Sequence, residues 1–186
     1  LCFMLAALAF TENALACQIC VPRPTQTLAD ELLQSDKVVL AREDPERPYH
    51  YVAVETLKGD PGTAAIDLFM NTPVRRQLAA NPELTMLLAR DSRNREWRTL
   101  GIAHDDFEHV ARRILNFEGG WIPNETNNLE RLRELAPLLG HEDLRLHELA
   151  YLEIGRAPYG SIKAVSTDVS LDRVRAMLSD LRYIEW

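Results

Sequence analysis

The chain is poor in cysteine, poor in glycine and without a long apolar run, and each shortage removes a class of function. Of its 186 residues only 3 are Cys, at positions 2, 17 and 20. A zinc site built from cysteine pairs needs a second pair, and none follows; His50, His104, His109, His141 and His147 are scattered. Haem attachment needs His directly after the second Cys, and residue 21 is Val. With 8 Gly in all, the chain has no glycine-rich phosphate loop. It has no G-x-S-x-G elbow either, and Tyr159-Gly160-Ser161 has no strand before it. No apolar run reaches the roughly 20 residues a bilayer-spanning helix needs. Lys and Arg number 21 against 28 Asp and Glu, a net charge of -7. Nothing therefore points to nucleic acid, which requires clustered cations, or to an anionic membrane surface. No catalytic set, metal site or cofactor is assigned.

What is present suits a soluble globular protein: 46% hydrophobic and 26% charged residues, enough to build a core. The length allows one medium domain or two small ones. Leu1 to Phe10 (LCFMLAALAF) has the length and apolarity of a signal-peptide h-region. The polar step Thr11-Glu12-Asn13 and the small-x-small signal Ala14-Leu15-Ala16 follow. Residues 1–16 are thus expected to be the tail of a secretory signal peptide. The mature protein would begin at Cys17, exported to the periplasm or outside the cell, with residues missing from both ends of the sequence.

Export leaves Cys17 and Cys20 as an even pair in a disulfide-permissive compartment. A structural disulfide is one reading. A lipid anchor is another: Ala14-Leu15-Ala16-Cys17 approximates a lipobox but has Ala, where Leu is usual, three residues before the Cys. Membrane attachment is expected only if Cys17 is lipidated. A third reading is thiol–disulfide exchange, although Val21-Pro22 follows the pair and no strand precedes it.

Residues 21–27 carry two prolines and run extended. Leu28, Leu32 and Leu33 mark a short helix over 28–34. Strand patterns follow at 37–42, 49–57, 65–70, 84–90 and 97–102, with a helical insertion at 72–81. In the second strand Tyr49, Tyr51, Ala53 and Glu55 alternate with His50, Val52, Val54 and Thr56. Five short strands separated by turns predict a small antiparallel barrel or sandwich. Helical spacing takes over at 105–117, 129–139, from 142 to Gly155, at 161–165 and at 170–181. The expected class is α+β: a β-barrel domain over 17–103, then an all-helical domain over 104–186.

Two stretches resemble known families. Cys17-Gln18-Ile19-Cys20-Val21-Pro22, a short helix, Ser35-Asp36-Lys37-Val38-Val39-Leu40-Ala41-Arg42, then Tyr51-Val52-Ala53-Val54 and Leu57-Lys58-Gly59 together resemble the netrin-like domain of the tissue inhibitors of metalloproteinases. The resemblance implies an OB-type five-stranded barrel. It also implies an inhibitor that places the Cys17 amine and carbonyl on a protease zinc. The family opens on Cys-x-Cys and is braced by several disulfides; here two residues separate the cysteines and no later Cys exists. Leu132 to Asp143 followed by Leu144 to Arg156 resembles one HEAT-type helix pair, which implies stacked repeats.

Other clusters read as structure. Asp105 and Asp106 suit the acidic first turn of a helix, and His104 and His109, five apart, share no helical face. His141 and His147 flank a turn and a helix face. Asn124 heads a glycosylation sequon and could equally cap the next helix. Arg112, Arg113, Arg131 and Arg133, offset by Glu130 and Glu134, read as a solvated face. The expected role is non-catalytic binding of a protein partner in the envelope.

Overall fold

The computed structural model describes residues 26–61, 65–118 and 120–180. Cys17, Cys20 and the signal-peptide residues lie outside them.

The first described element is helix α1, Leu28–Gln34. Thr27 caps it: its hydroxyl accepts from the Asp30 N–H while the Asp30 carboxylate accepts from the Thr27 N–H. No basic residue of its own faces the last carbonyls. Lys58 supplies the charge instead, its ammonium donating to the carbonyls of Leu32 (3.2 Å) and Leu33 (2.7 Å).

Strands β1 (Ser35–Glu43), β2 (His50–Lys58), β3 (Ile66–Phe69), β4 (Thr85–Asp91) and β5 (Trp97–Ala103) pair antiparallel in the order β3-β2-β1-β4-β5. The sheet curls into a half-barrel, and β3 and β5, at opposite ends of that order, come into contact. Irregular register drives the curl, since an extra residue on one strand bends it and increases its twist. Val54 and Leu57 of β2 have no opposite number on β1, and Leu100 of β5 has none on β4. The simple alternation expected along β2 therefore ends at Tyr51, which is buried; Val52 to Glu55 are all exposed. Only Gly fits the turn after β2: Gly59 has φ +86°, and a Cβ there would sit 2.5 Å from the Asp36 carbonyl oxygen.

The central strands are buried on both faces. Val38 and Leu40 of β1 with Leu87 and Ala89 of β4 face a helical layer, while Val39, Ala41, Met86 and Leu88 face the inside of the curl. Helix α2 (Thr72–Ala80), between β3 and β4, closes that inner core with Leu78. Asn71 caps it, and Pro73 occupies its first turn, where a missing N–H costs nothing.

The outer core joins the sheet to α1, α3 (Asp105–Leu115) and α5 (Leu144–Arg156), through Phe107, Ala111, Ile114, Leu146 and Leu149. It is one continuous cluster on both sides of residue 103. Helix α4 (Leu129–Leu135), which runs into a 3-10 turn at Ala136–Leu138, packs on α5 and on α6 (Tyr159–Val165) around Leu132, Ala136 and Val165. Asn128 caps α4, not Asn124, which has φ +60° and turns its N–H elsewhere. The last described helix, α7 (Leu171–Ser179), contains no buried residue.

Candidate functional site

Three polar or open regions stand out. The first is a cleft of about 500 Å³ on the open side of the half-barrel. Tyr51, Ile66 and Trp97 form its apolar floor, with Val52 and Val54 at the rim and the cations Lys37 and Arg47 beside them. It exists because β3 is only four residues long: it pairs with β2 at His50 and Tyr51, and past Tyr51 the outer edge of β2 meets no strand among the described residues. Two exposed valines side by side on such an edge are unusual for a surface with no partner. Burial raises the titration of the Tyr51 phenol, so this floor stays uncharged at neutral pH.

The second region is ionic and closed. Arg131, read from sequence as part of a solvated face, is instead fully buried (1% exposed), as are Asp30 (0%) and Glu153 (4%). The Arg131 Nη2 donates to Asp30 Oδ1 at 2.8 Å and to Glu153 Oε1 at 2.6 Å. Arg156 reaches Asp30 through Nη1 and both Glu153 oxygens through Nη2 at 2.8 Å. The Thr27 hydroxyl donates to Glu153 at 2.6 Å, and the Asn124 N–H donates to Asp30 at 2.8 Å. Two acids and two guanidiniums cancel in charge. Burial alone would raise the Asp30 carboxyl, but Arg156, the Asn124 N–H and Arg131 outweigh it and hold it down at about 2. The set acts as a structural lock tying α1 to α4 and α5, with the Nε atoms of Arg131 and Arg156 the two buried donors that find no partner among the described residues. The rest of the predicted solvated face does lie at the surface: Arg113 pairs with Glu134, and Arg112 forms a fork with Glu55 on β2.

The third region is an open polar cleft of about 830 Å³, lined by His104, Asp106, Gly140, His141, Glu142, Asp143, Arg145 and Arg173. His104, the N-cap residue of α3, hydrogen-bonds through Nε2 to Asp143, the N-cap of α5. Burial would raise the Asp143 carboxyl, but Arg145 overrides this with side-chain and backbone hydrogen bonds, joined by His104, and it titrates at about 2. Arg145 is itself fixed: its guanidinium lies 3.8 Å from the centre of the Phe107 ring and donates to the Ile102 carbonyl at 3.0 Å. His147, one turn further along α5, is buried, accepts the Gly140 N–H on Nδ1 and is pushed down in titration by that burial.

Sequence reasoning left His104, His141 and Arg131 as background because their acidic partners across elements lie 22 to 101 residues away. Capping gave one usable signal: Asp143 stands directly before a periodic apolar run. His109 joins none of these sites. Among the described residues no group of three His, Cys, Asp or Glu could hold a metal ion, and no helix is long and apolar enough to cross a membrane. The fold and its clefts define a mixed α+β protein with an open half-barrel. No family model, curated protein or solved structure matches the chain.

Proposed function

We propose that this chain is an exported, non-catalytic binding protein whose open barrel side holds a protein partner. The observation that carries the reading is the apolar-floored cleft beside the edge of β2 that meets no strand among the described residues, where Val52 and Val54 stand exposed above Tyr51 and Trp97. An OB-type, netrin-like barrel is the finer fold reading. It is supported by the strand order, by the helix between β3 and β4 and by the approach of β3 to β5; barrels of this type bind along their strand faces. For the HEAT-like reading, the support is the pairing of α4 with α5 and α6 across short connections. Export rests on the N-terminal sequence alone. Fold analogy adds little to the choice of partner.

The test places a photo-crosslinking residue at position 54, and a control at position 175 on α7, in the full-length protein expressed in an exporting bacterial host. A discrete crosslinked protein from position 54 that is absent from position 175, and lost on Val52→Asp, is the expected result. Equal labelling from both positions would sink the proposal.

A further inference from the structure

The charged side chains around the barrel cleft are unequally matched. Three of them line it: Lys37, Arg47 and Glu55. Glu55 gives both carboxylate oxygens to Arg112, at 2.8 and 2.7 Å, and Arg47 is paired with Asp44 at 2.8 Å. Asp36, next to Lys37 in sequence, is held by Arg90 through two hydrogen bonds of 2.8 Å. Each of these acids already has its cation. Lys37 differs in kind from the other two lining charges, because it is buried (5% exposed). It lines the cleft together with Val39, two residues further along β1, and with Tyr51 and Trp97. An apolar floor and a buried ammonium thus meet in one cleft.

Building on the cleft as a protein-binding site, we infer that it selects a partner segment in which a large apolar side chain adjoins an aspartate or glutamate. The apolar group seats on Tyr51, Ile66 and Trp97, and the side-chain carboxylate reaches Lys37. Any occupant strips remaining water from the ammonium. A neutral group returns nothing for that loss, whereas a carboxylate returns a charge-assisted hydrogen bond. An ammonium carries three donors, so it receives the acid alongside any contact made within the chain. Selection comes as much from rejecting uncharged segments as from attracting acidic ones. The volume of about 500 Å³ falls within the roughly 300–1,000 Å³ of ligand-sized clefts. The chain as a whole carries a net charge of -7, so long-range attraction does not favour an acid. The preference acts on the seated segment, by slowing its departure.

Two probe peptides that differ in one group, acetyl-Phe-Asp-amide and acetyl-Phe-Asn-amide, test this selection. Each is titrated at pH 7 into the isotope-labelled protein and followed by NMR at the Trp97 indole N–H. The Asp peptide is expected to bind about fivefold or more tightly than the Asn peptide, and the ratio to fall to about one in Lys37→Met. Equal binding of the two peptides by the wild type overturns the acid selection and leaves the cleft an apolar site. A ratio lost in Arg47→Met but kept in Lys37→Met overturns it as well, since the acid is then read at the rim. No shift from either peptide also overturns it, while the crosslink from position 54 decides separately whether the cleft holds a protein. Should Lys37→Met fail to fold, the Asp-specific shift in the wild type must fall on the Lys37 amide; a shift confined to Arg47 refutes the selection.

Discussion

Arg131 and Asp30 are 101 residues apart in sequence, yet their side chains meet at 2.8 Å where neither reaches solvent. The pair is the centre of the lock between the first helix and the helical layer. A buried ion pair adds little over a well-packed apolar substitute, but removing one member strands the other. Arg131→Ala leaves Asp30 and Glu153 with only Arg156 between them. The expected cost is about 3–5 kcal/mol, measured by urea denaturation at pH 7. A loss below about 1 kcal/mol would mean that water enters and the lock is not closed.

Acid should open the same lock. The Asp30 carboxyl titrates at about 2 in the folded chain, against an ordinary 3.8. A depressed acid stabilises the fold above its unfolded value and stops doing so as pH falls through its folded value. The contribution is about 2 kcal/mol at neutral pH, complete above about pH 5 and lost progressively toward about pH 2. Unfolding midpoints between those limits should fall steeply in the wild type. In Asp30→Asn, less stable at neutral pH, they should fall less steeply; an unchanged slope would remove Asp30 from the account.

Gly101 makes room for Arg145. A Cβ at this position would come within 1.6 Å of Arg145 Nη1 and 2.8 Å of its guanidinium carbon. Gly101→Ala must therefore displace the guanidinium from Phe107 and from the Ile102 carbonyl, at about 2 kcal/mol in total. In an Arg145→Ala background the same substitution should cost well under half as much. Equal costs in the two backgrounds would place the effect of Gly101 in its backbone conformation instead.

The strands and helices were legible because their apolar residues repeat at the periods that burial demands. Predicted and observed limits of α1 agree at 28–34, and those of the other elements differ by only a few residues. What escaped was chemistry between elements. Arg131 sits in Leu129–Leu135 among Glu130, Arg133 and Glu134, so local pattern gives it to solvent; only the placement of α1 against α4 turns it inward. Asn124, the cap that the sequence offered, is not the one used: Asn128 accepts the Arg131 N–H, while the Asn124 N–H donates to Asp30. The open side of the barrel was equally hidden, since it follows from the shortness of β3 and the bulges in β2, neither of which leaves a compositional trace. Cys17 and Cys20, the most conspicuous residues on paper, lie outside the described residues; the intact mass of the mature chain, taken with and without reductant, separates a Cys17–Cys20 bridge from lipidation.

The ionic lock also sets an order of events during synthesis. Thr27 and Asp30 emerge from the ribosome among the first described residues, but Glu153 and Arg156 lie up to 126 positions later. Until Arg131 has been made, the buried acid at the start of α1 has no cation of the lock to meet, and until Glu153 and Arg156 follow, the set is incomplete. A nascent chain stopped after β5 would own all five strands and still lack the means to seal them. Folding of this protein is therefore expected to be late and concerted, completed only after the fifth helix is free to return to the first.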